Sequence, residues 1–371
     1  MSISRTRNTQ NKVYIPSSAR ENQYLLAKFS VTDEMLAKFS STENSEQPYL
    51  HFYQTLSKIF FKINDDLDIE NGQFVANDKF TRVRFSLEKL TAQTEQQIIF
   101  LYNAHYHNSQ NAYFDGKKRV KKINLVFLAN GSEIRHDAAK FHKKVQQAIT
   151  LFSQQVGLNS QDIRVCDHQH LTYDLFAKDK GIEGTRAHKL RSMKNRYSSD
   201  DLTLPESIDA LTYAIVDIPL NRRMRKLTKI DETSNEPYSP LYHLIADTLI
   251  SAGKKHNLNN GAIIANGLIP IVRRSDDEMA VTNGELQMLG YNPEHSSSGY
   301  TCKWSADTLV DTAQLIFVAS QEHSTNHGYG KFLNQVEHTL HSLAERLSYI
   351  NSKEEMLVRF HQHIGFYLQD A

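Results

Sequence analysis

The chain has 371 residues, 40% hydrophobic and 23% charged, with 43 Lys and Arg against 42 Asp and Glu and a formal net charge of +1 at pH 7. That length predicts two domains, each able to bury its own core, and that balance excludes a chain that is basic throughout and holds nucleic acid by bulk charge. Two cysteines, Cys166 and Cys302, point to a reducing cytoplasm; residues 1–20 lack the apolar core of a secretory leader, and no apolar run approaches the length of a membrane span, so no membrane partner is expected.

Taken in chain order, residues 1–19 read as a disordered, mobile tail, because nothing in them alternates or repeats. Tyr24 to Val31 (YLLAKFSV) is apolar enough for a buried strand. A polar insert, Ser40 to Gln47, precedes a helix in which Leu50, Phe52, Tyr53, Leu56, Ile59, Phe60 and Ile63 fall at helical spacing behind Pro48. Phe74 to Ala76 and Phe80 to Phe85 read as strands about a turn at Asn77-Asp78, Ile98 to Tyr102 as another strand, and His105 to Gly116 as a polar loop. Leu125 to Ala129 (LVFLA) is an apolar strand. The helix after it carries Phe141, Val145, Ala148, Ile149, Phe152 and Val156 on one stripe, and Val165 to Phe176 follows as a strand. Residues 177–206 are polar and basic and read as a linker with one short helix starting near Thr185.

The segment Asn71 to Arg84 (NGQFVANDKFTRVR) returns as Asn260 to Arg273 (NGAIIANGLIPIVR), with identity at Asn71/Asn260, Gly72/Gly261, Ala76/Ala265, Asn77/Asn266, Val83/Val272 and Arg84/Arg273. The match extends outward: Tyr24 with Tyr213, Tyr102-Asn103 with Tyr291-Asn292, LVFLA with LIFVA at Leu315 to Ala319, and the helical stripe with Phe332, Val336, Leu340, Leu343 and Leu347. The chain therefore reads as a tandem duplication, with repeat 1 over 20–176 and repeat 2 over 207–371. Each copy reads β-α-β-β-β-β-α-β, an elaboration that resembles the split β-α-β plan of ferredoxin-like folds, so the predicted class is α+β with two similar halves in a pseudo-twofold relation. Asn71-Gly72 and Asn260-Gly261 are expected to be turns, since both residue types tolerate positive φ.

Histidine is the residue to weigh. Among the 17 histidines, the pairs His51/His243, His136/His327, His168/His361 and His170/His363 occupy matched positions. On a strand His168 and His170 share one face, as do His361 and His363, and imidazoles so placed suit a divalent metal such as zinc. No third ligand type recurs with them, because Asp167 is opposed by Phe360 and Cys166 by Arg359, so the plainer reading is histidines that bond within or beside a sheet.

The loops Asn130 to Ala139 and Ser320 to Gly330 form a second constellation. Each ends at a helix N-terminus, where unpaired N–H groups and the dipole attract anions. His136 and Lys140 in one copy, His327 and Lys331 in the other, lie in or before that first turn, and Arg84 and Arg273 belong to a neighbouring strand. The plainer reading of the lysines is a solvated surface. Neither loop is GxxxxGK[ST] or GxGxxG. The basic runs Lys117 to Lys122, Arg186 to Arg196 and Arg222 to Lys229 are of the kind that usually forms a solvated face, although Arg186 to Tyr197 interleaves cations with an aromatic as nucleic-acid contacts do. No nucleophile elbow or paired carboxylate is present to name a reaction.

The leading expectation is thus a cytoplasmic protein that binds an anionic ligand, phosphate-bearing or nucleic acid, near the interface of its halves through Arg84, His136, Lys140, Arg273, His327 and Lys331. The alternatives are a metal-dependent enzyme holding a divalent ion on His168, His170, His361 and His363, and a non-catalytic scaffold with neither site.

Overall fold

Strand β7 (Lys122–Leu128, KINLVFL) is exposed at Lys122 and buried from Ile123 onward, as a strand must be when both of its faces are covered. A computed structural model describes it together with the rest of residues 12–16, 20–40, 46–76, 82–86, 89–93, 99–103, 116–129, 138–159, 162–176, 185–189, 209–229, 233–258, 261–264, 271–274, 279–282, 288–291, 301–303, 309–319, 329–347 and 356–368. These residues form a mixed α+β protein of helices and antiparallel sheet, and they divide between two compact units: Glu21–Gln169 with Arg196–Asp209 and His363–Ala371, and Ala210–Gln362 with Met1–Arg20 and His170–Asn195. We call them the N-terminal and the C-terminal unit.

In the N-terminal unit the strands β2 (Arg20–Ser30), β3 (Asn71–Ala76), β6 (Ile99–Asn103), β7 and β8 (Arg164–Asp174) run in the order β8-β2-β7-β3-β6. The β2/β7 register runs from Tyr24 opposite Leu128 to Ser30 opposite Lys122, and β3 sets Phe74 opposite Leu125. Alternation then sends Leu25, Ala27 and Phe29 of β2, and Ile123, Leu125 and Phe127 of β7, to one side, where they pack with Phe52, Leu56 and Phe60 of helix α2 (Leu50–Asp66). Helix α3 (Ala138–Val156) adds its whole apolar stripe, Phe141, Val145, Ala148, Ile149, Phe152 and Val156, to the same core. Fully burying one such side chain contributes about 1.5–3 kcal/mol. Between β2 and α2 lies a short helix, α1 (Asp33–Phe39), absent from the sequence expectation; Thr32 caps it, Oγ1 accepting from Met35 N at 3.2 Å. The last strand returns to this unit: Leu368 N donates to Ile163 O at 3.0 Å, and Leu368 is buried in the core.

The C-terminal unit has the order β17-β10-β16-β11-β14-β15, formed by β10 (Asp209–Pro219), β11 (Gly261–Ile264), β14 (Met288–Tyr291), β15 (Thr301–Lys303), β16 (Thr312–Val318) and β17 (Leu357–Tyr367). Its core joins Ala214, Val216 and Ile218 of β10 and Leu315 and Phe317 of β16 to Tyr242, Ile245 and Leu249 of helix α5 (Ser239–Lys255) and to Phe332, Val336, Leu340 and Leu343 of helix α6 (Tyr329–Arg346). A one-turn helix, α4 (Arg222–Arg225), is capped by Asn221 Oδ1, which accepts from Arg223 N at 3.0 Å and Met224 N at 2.9 Å. Here Leu175 N donates to Met356 O at 3.0 Å.

Three further strand pairs are β1 (Lys12–Pro16) with β9 (Thr185–Lys189), β4 (Arg82–Ser86) with β5 (Lys89–Gln93), and β12 (Ile271–Arg274) with β13 (Met279–Thr282). The first pair departs from expectation, since a segment read as tail supplies β1 and the segment read as opening a helix at Thr185 is a strand. The register Lys12↔Lys189 to Pro16↔Thr185 pairs the backbone groups that the two strands turn toward each other. The turn expected at Asn77-Asp78 lies outside the described residues.

Asn71-Gly72 is not a turn. It opens β3, and among the described residues those with positive φ are Asp68 (54°), Asn257 (57°) and Gly157 (80°). Gly72 is needed for closeness instead: a Cβ there would stand 2.5 Å from Asn64 Nδ2 and 3.2 Å from Phe60 Cζ of α2. Gly72→Val is therefore expected to lower stability by about 1–3 kcal/mol, the usual range for overpacking. Urea unfolding measures it, and a loss under about 0.5 kcal/mol would show that Phe60 and Asn64 move aside.

Candidate metal centre

The site begins with strand alternation. On β8, Val165, Leu171 and Tyr173 enter the helix-covered cores, and Asp167 faces the same way to meet α3; Cys166, His168 and His170 therefore face the other side. On β17, Val358 and Phe360 point to the core and His361 and His363 away from it. His168 is buried; His170, His361 and His363 are half-buried.

Within the N-terminal unit Tyr24 lies flat on His168, with centroids 4.5 Å apart and an 8° interplanar angle, and His168 meets His363 at 4.3 Å and 59°. The C-terminal unit has the same series: Tyr213 on His361 at 4.6 Å and 10°, and His361 against His170 at 4.5 Å and 65°. His168 and His170 are held relative to each other by the strand that carries both, and one ring nitrogen from each of His168, His170 and His363 falls within 4.8 Å of the others. Among the described residues this is the group with metal-ligand geometry.

The surroundings set the charge. Burial pushes the Tyr213 phenol far up, against the pull of nearby Arg359, so the ring on His361 is a neutral phenol. Arg359 is itself engaged, Nη2 donating to Asp217 Oδ1 at 2.5 Å, and Gln314 Nε2 donates to the same oxygen at 3.2 Å. Burial lowers the Lys28 pKa, Lys122 and Arg164 lower it further, and Cys166 acts in the opposite direction. Cys166 is not in a disulfide.

The other sequence candidates fare differently. Lys140 and Lys331 are exposed in the first turns of α3 and α6. Arg84 and Arg273 stand on β4 and β12, opposite Thr91 and Ala280, in strands whose side chains are not described; His136 and His327 lie outside the described residues. His51 and His243 are exposed. Sequence reasoning missed a buried polar group: Gln23 Nε2 is 2.6 Å from His142 Nε2 and 3.5 Å from Asp167 Oδ1, and His142 Nε2 is 3.4 Å from Asp167 Oδ2. Recurrence, the signal used to select residues, could not find it. The positions that the sequence matches to them hold Thr212, Leu333 and Phe360.

A half-buried acid also stands in the C-terminal unit. Glu337 Oε1 accepts from Tyr173 Oη at 2.9 Å, and burial raises its pKa above the ordinary 4.5, with the Tyr173 bond working the other way. A carboxyl raised in the folded state favours folding below its ordinary value, and that contribution is lost as pH rises through the folded pKa. Glu337→Gln should therefore melt with the wild type below pH 4.5 and above it at pH 7; equal melting at pH 7 would show that the carboxylate is fully solvated.

Fold and geometry together define an α+β protein, with no helix among the described residues long and apolar enough to cross a membrane and with a histidine group of metal-ligand type on two of its strands. The chain belongs to a family described as a protein of unknown function, DUF3083, whose model matches residues 51–366. No curated protein matches it. Two crystal structures of aldoxime dehydratase, one of them in complex with butyraldoxime, are similar at 8% identity and a TM-score of 0.23. The complex is matched over 98% of this chain and 84% of its own, the other over 96% and 90%.

Proposed function

We propose that this chain binds a divalent transition-metal ion of the zinc class on His168, His170 and His363, with His361 a fourth imidazole on the same face of β17. The observation that carries the reading is the convergence of three ligand nitrogens within 4.8 Å. Zinc–nitrogen bonds near 2.0–2.1 Å in a tetrahedral site put neighbouring nitrogens about 3.4 Å apart, so ring rotations of about an ångström close the shell. Neutral imidazole is the ligand form and is abundant at pH 7. Tyr24 stacked on His168 favours one ring plane, the kind of orientation that outer partners supply to metal-bound histidines. Three imidazoles leave a coordination position for water, which a metal-dependent enzyme would use; a fourth bond from His361 closes the shell and makes the site structural.

The two units are read as copies of one module of ferredoxin-like plan, repeats 20–176 and 207–371. Matched bonds support this: Val120 N to Tyr53 Oη at 2.8 Å and Val310 N to Tyr242 Oη at 3.1 Å; Ile69 N to Asn64 O and Leu258 N to Gly253 O, both 2.9 Å; Ala129 N to Gln23 O at 3.0 Å and Ala319 N to Thr212 O at 2.8 Å. Asp68 and Asn257 share positive φ at matched positions. Duplication then accounts for His-Gln-His on both final strands.

The test is zinc titration of the wild type against His168→Ala/His363→Ala, with cobalt substitution to read coordination number. The variant should bind at least a hundredfold more weakly. Undiminished zinc binding by a folded variant would sink the metal reading and leave the rings as a stack that only stabilises the sheet.

A further inference from the structure

The buried group of Gln23, His142 and Asp167 stands directly behind the stacked rings of the N-terminal unit. Gln23 and Tyr24 are neighbours on β2, and Asp167 and His168 are neighbours on β8. On the helix-covered side Gln23 Nε2 donates to Asp167 Oδ1 at 3.5 Å; on the other side the Tyr24 ring lies on the His168 ring at 4.5 Å and 8°. Successive residues of a strand point to opposite faces, so the same two-residue stretch of each strand makes both contacts, and what fixes one fixes the other. His142 of α3 joins on the helix side, its Nε2 2.6 Å from Gln23 Nε2 and 3.4 Å from Asp167 Oδ2. Helix and both strands are thus tied at one point.

Apolar packing alone leaves β8 some freedom there. A cavity of about 20 Å³ lies beside His142, bounded by Leu25 of β2, Val165 of β8 and Phe366 and Leu368 of β17. The side chains around it lack close neighbours on one side, so they resist a small shift of the strand only weakly. Hydrogen bonds are directional and weaken steeply out of line, and the three polar side chains are buried where no solvent replaces a lost partner. The positions that the sequence matches to these three hold Thr212, Leu333 and Phe360, and there Tyr213 still lies on His361 at 4.6 Å and 10°. The ring stack by itself therefore does not call for a buried polar group. The difference lies in the histidine: His168 is one of the three rings whose nitrogens converge, and His361 is not.

We infer that Gln23, His142 and Asp167 are positioning residues for the metal: acting through β8, they hold His168 where its ring nitrogen shares an ion with His170 and His363. This rests on the metal reading above and adds to it the part of the N-terminal core that sets the ligand geometry. Ligands must be held to within about 0.5 Å for a site to bind well.

The experiment compares the wild type with Gln23→Leu, which removes the amide and leaves every charge in place, and with Gln23→Thr/His142→Leu/Asp167→Phe, by zinc titration and by the visible absorption of bound cobalt. Both variants are expected to bind zinc about tenfold more weakly, the low end of what outer partners of metal-bound histidines contribute, and to give altered cobalt bands. Urea unfolding run alongside separates this from instability, because the triple variant is built to keep its stability; should it fail to fold, Gln23→Leu decides alone. Wild-type affinity and an unchanged cobalt spectrum in the folded variants overturn the inference and leave the metal site standing. A wild type that binds zinc no better than His168→Ala/His363→Ala overturns the metal reading itself.

Discussion

Asp167→Ala is expected to destabilise the protein by about 1–3 kcal/mol, the range for leaving buried polar partners unsatisfied. Asp167 is 1% exposed, His142 3% and Gln23 2%, so the groups left behind have no water to turn to. The C-terminal unit supplies a control, because Thr212, Leu333 and Phe360, each 0% exposed, stand at the positions that the sequence matches to these three. Transplanting that solution whole, Gln23→Thr/His142→Leu/Asp167→Phe, should return stability to within about 1.5 kcal/mol of the wild type, since an apolar group of suitable volume often equals a buried polar one. Urea unfolding of the single and triple variants reads both quantities. A triple variant no better than Asp167→Ala would mean that the three groups do more than fill space.

Zinc at a hundred times its dissociation constant should raise the stability of the wild type by about 2.7 kcal/mol if it binds only the folded chain, and should fail to do so in His168→Ala/His363→Ala. The sign with pH follows from the ligand form. An imidazolium cannot ligate, so the effect is full above the ordinary histidine pKa of about 6.5 and vanishes as pH falls below it, with protons released on binding between. Melting curves at pH 7.5 and pH 5 with and without zinc make the comparison. Equal zinc stabilisation at both pH values would assign the effect to carboxylates instead.

Periodicity revealed most of the elements, for a physical reason. Phe141 to Val156 and Phe332 to Leu347 repeat at steps of three and four because one helix face meets one core, and all of these stripe residues are buried. The short helices α1 and α4 offer too few turns to show a period. Gly72 misled because glycine answers two demands, positive φ and close approach, that look identical in one letter. The histidine face of β8 was legible from a spacing of two; that His363 would come to lie against His168 was not, because it depends on strands far apart in sequence. Gln23, His142 and Asp167 left no trace, being far apart in sequence and without a recurring counterpart.

Residues 363–371 belong to the N-terminal unit, where Leu368 closes on Ile163 and enters the core. During synthesis, therefore, the unit whose strands are made earlier is the one that must wait: its core stays open until Leu368 has been made, more than 190 residues after β8. A cut between β9 and β10 would leave the earlier fragment without its closing strand end, and stalled or truncated chains would expose an apolar core face that invites capture by chaperones.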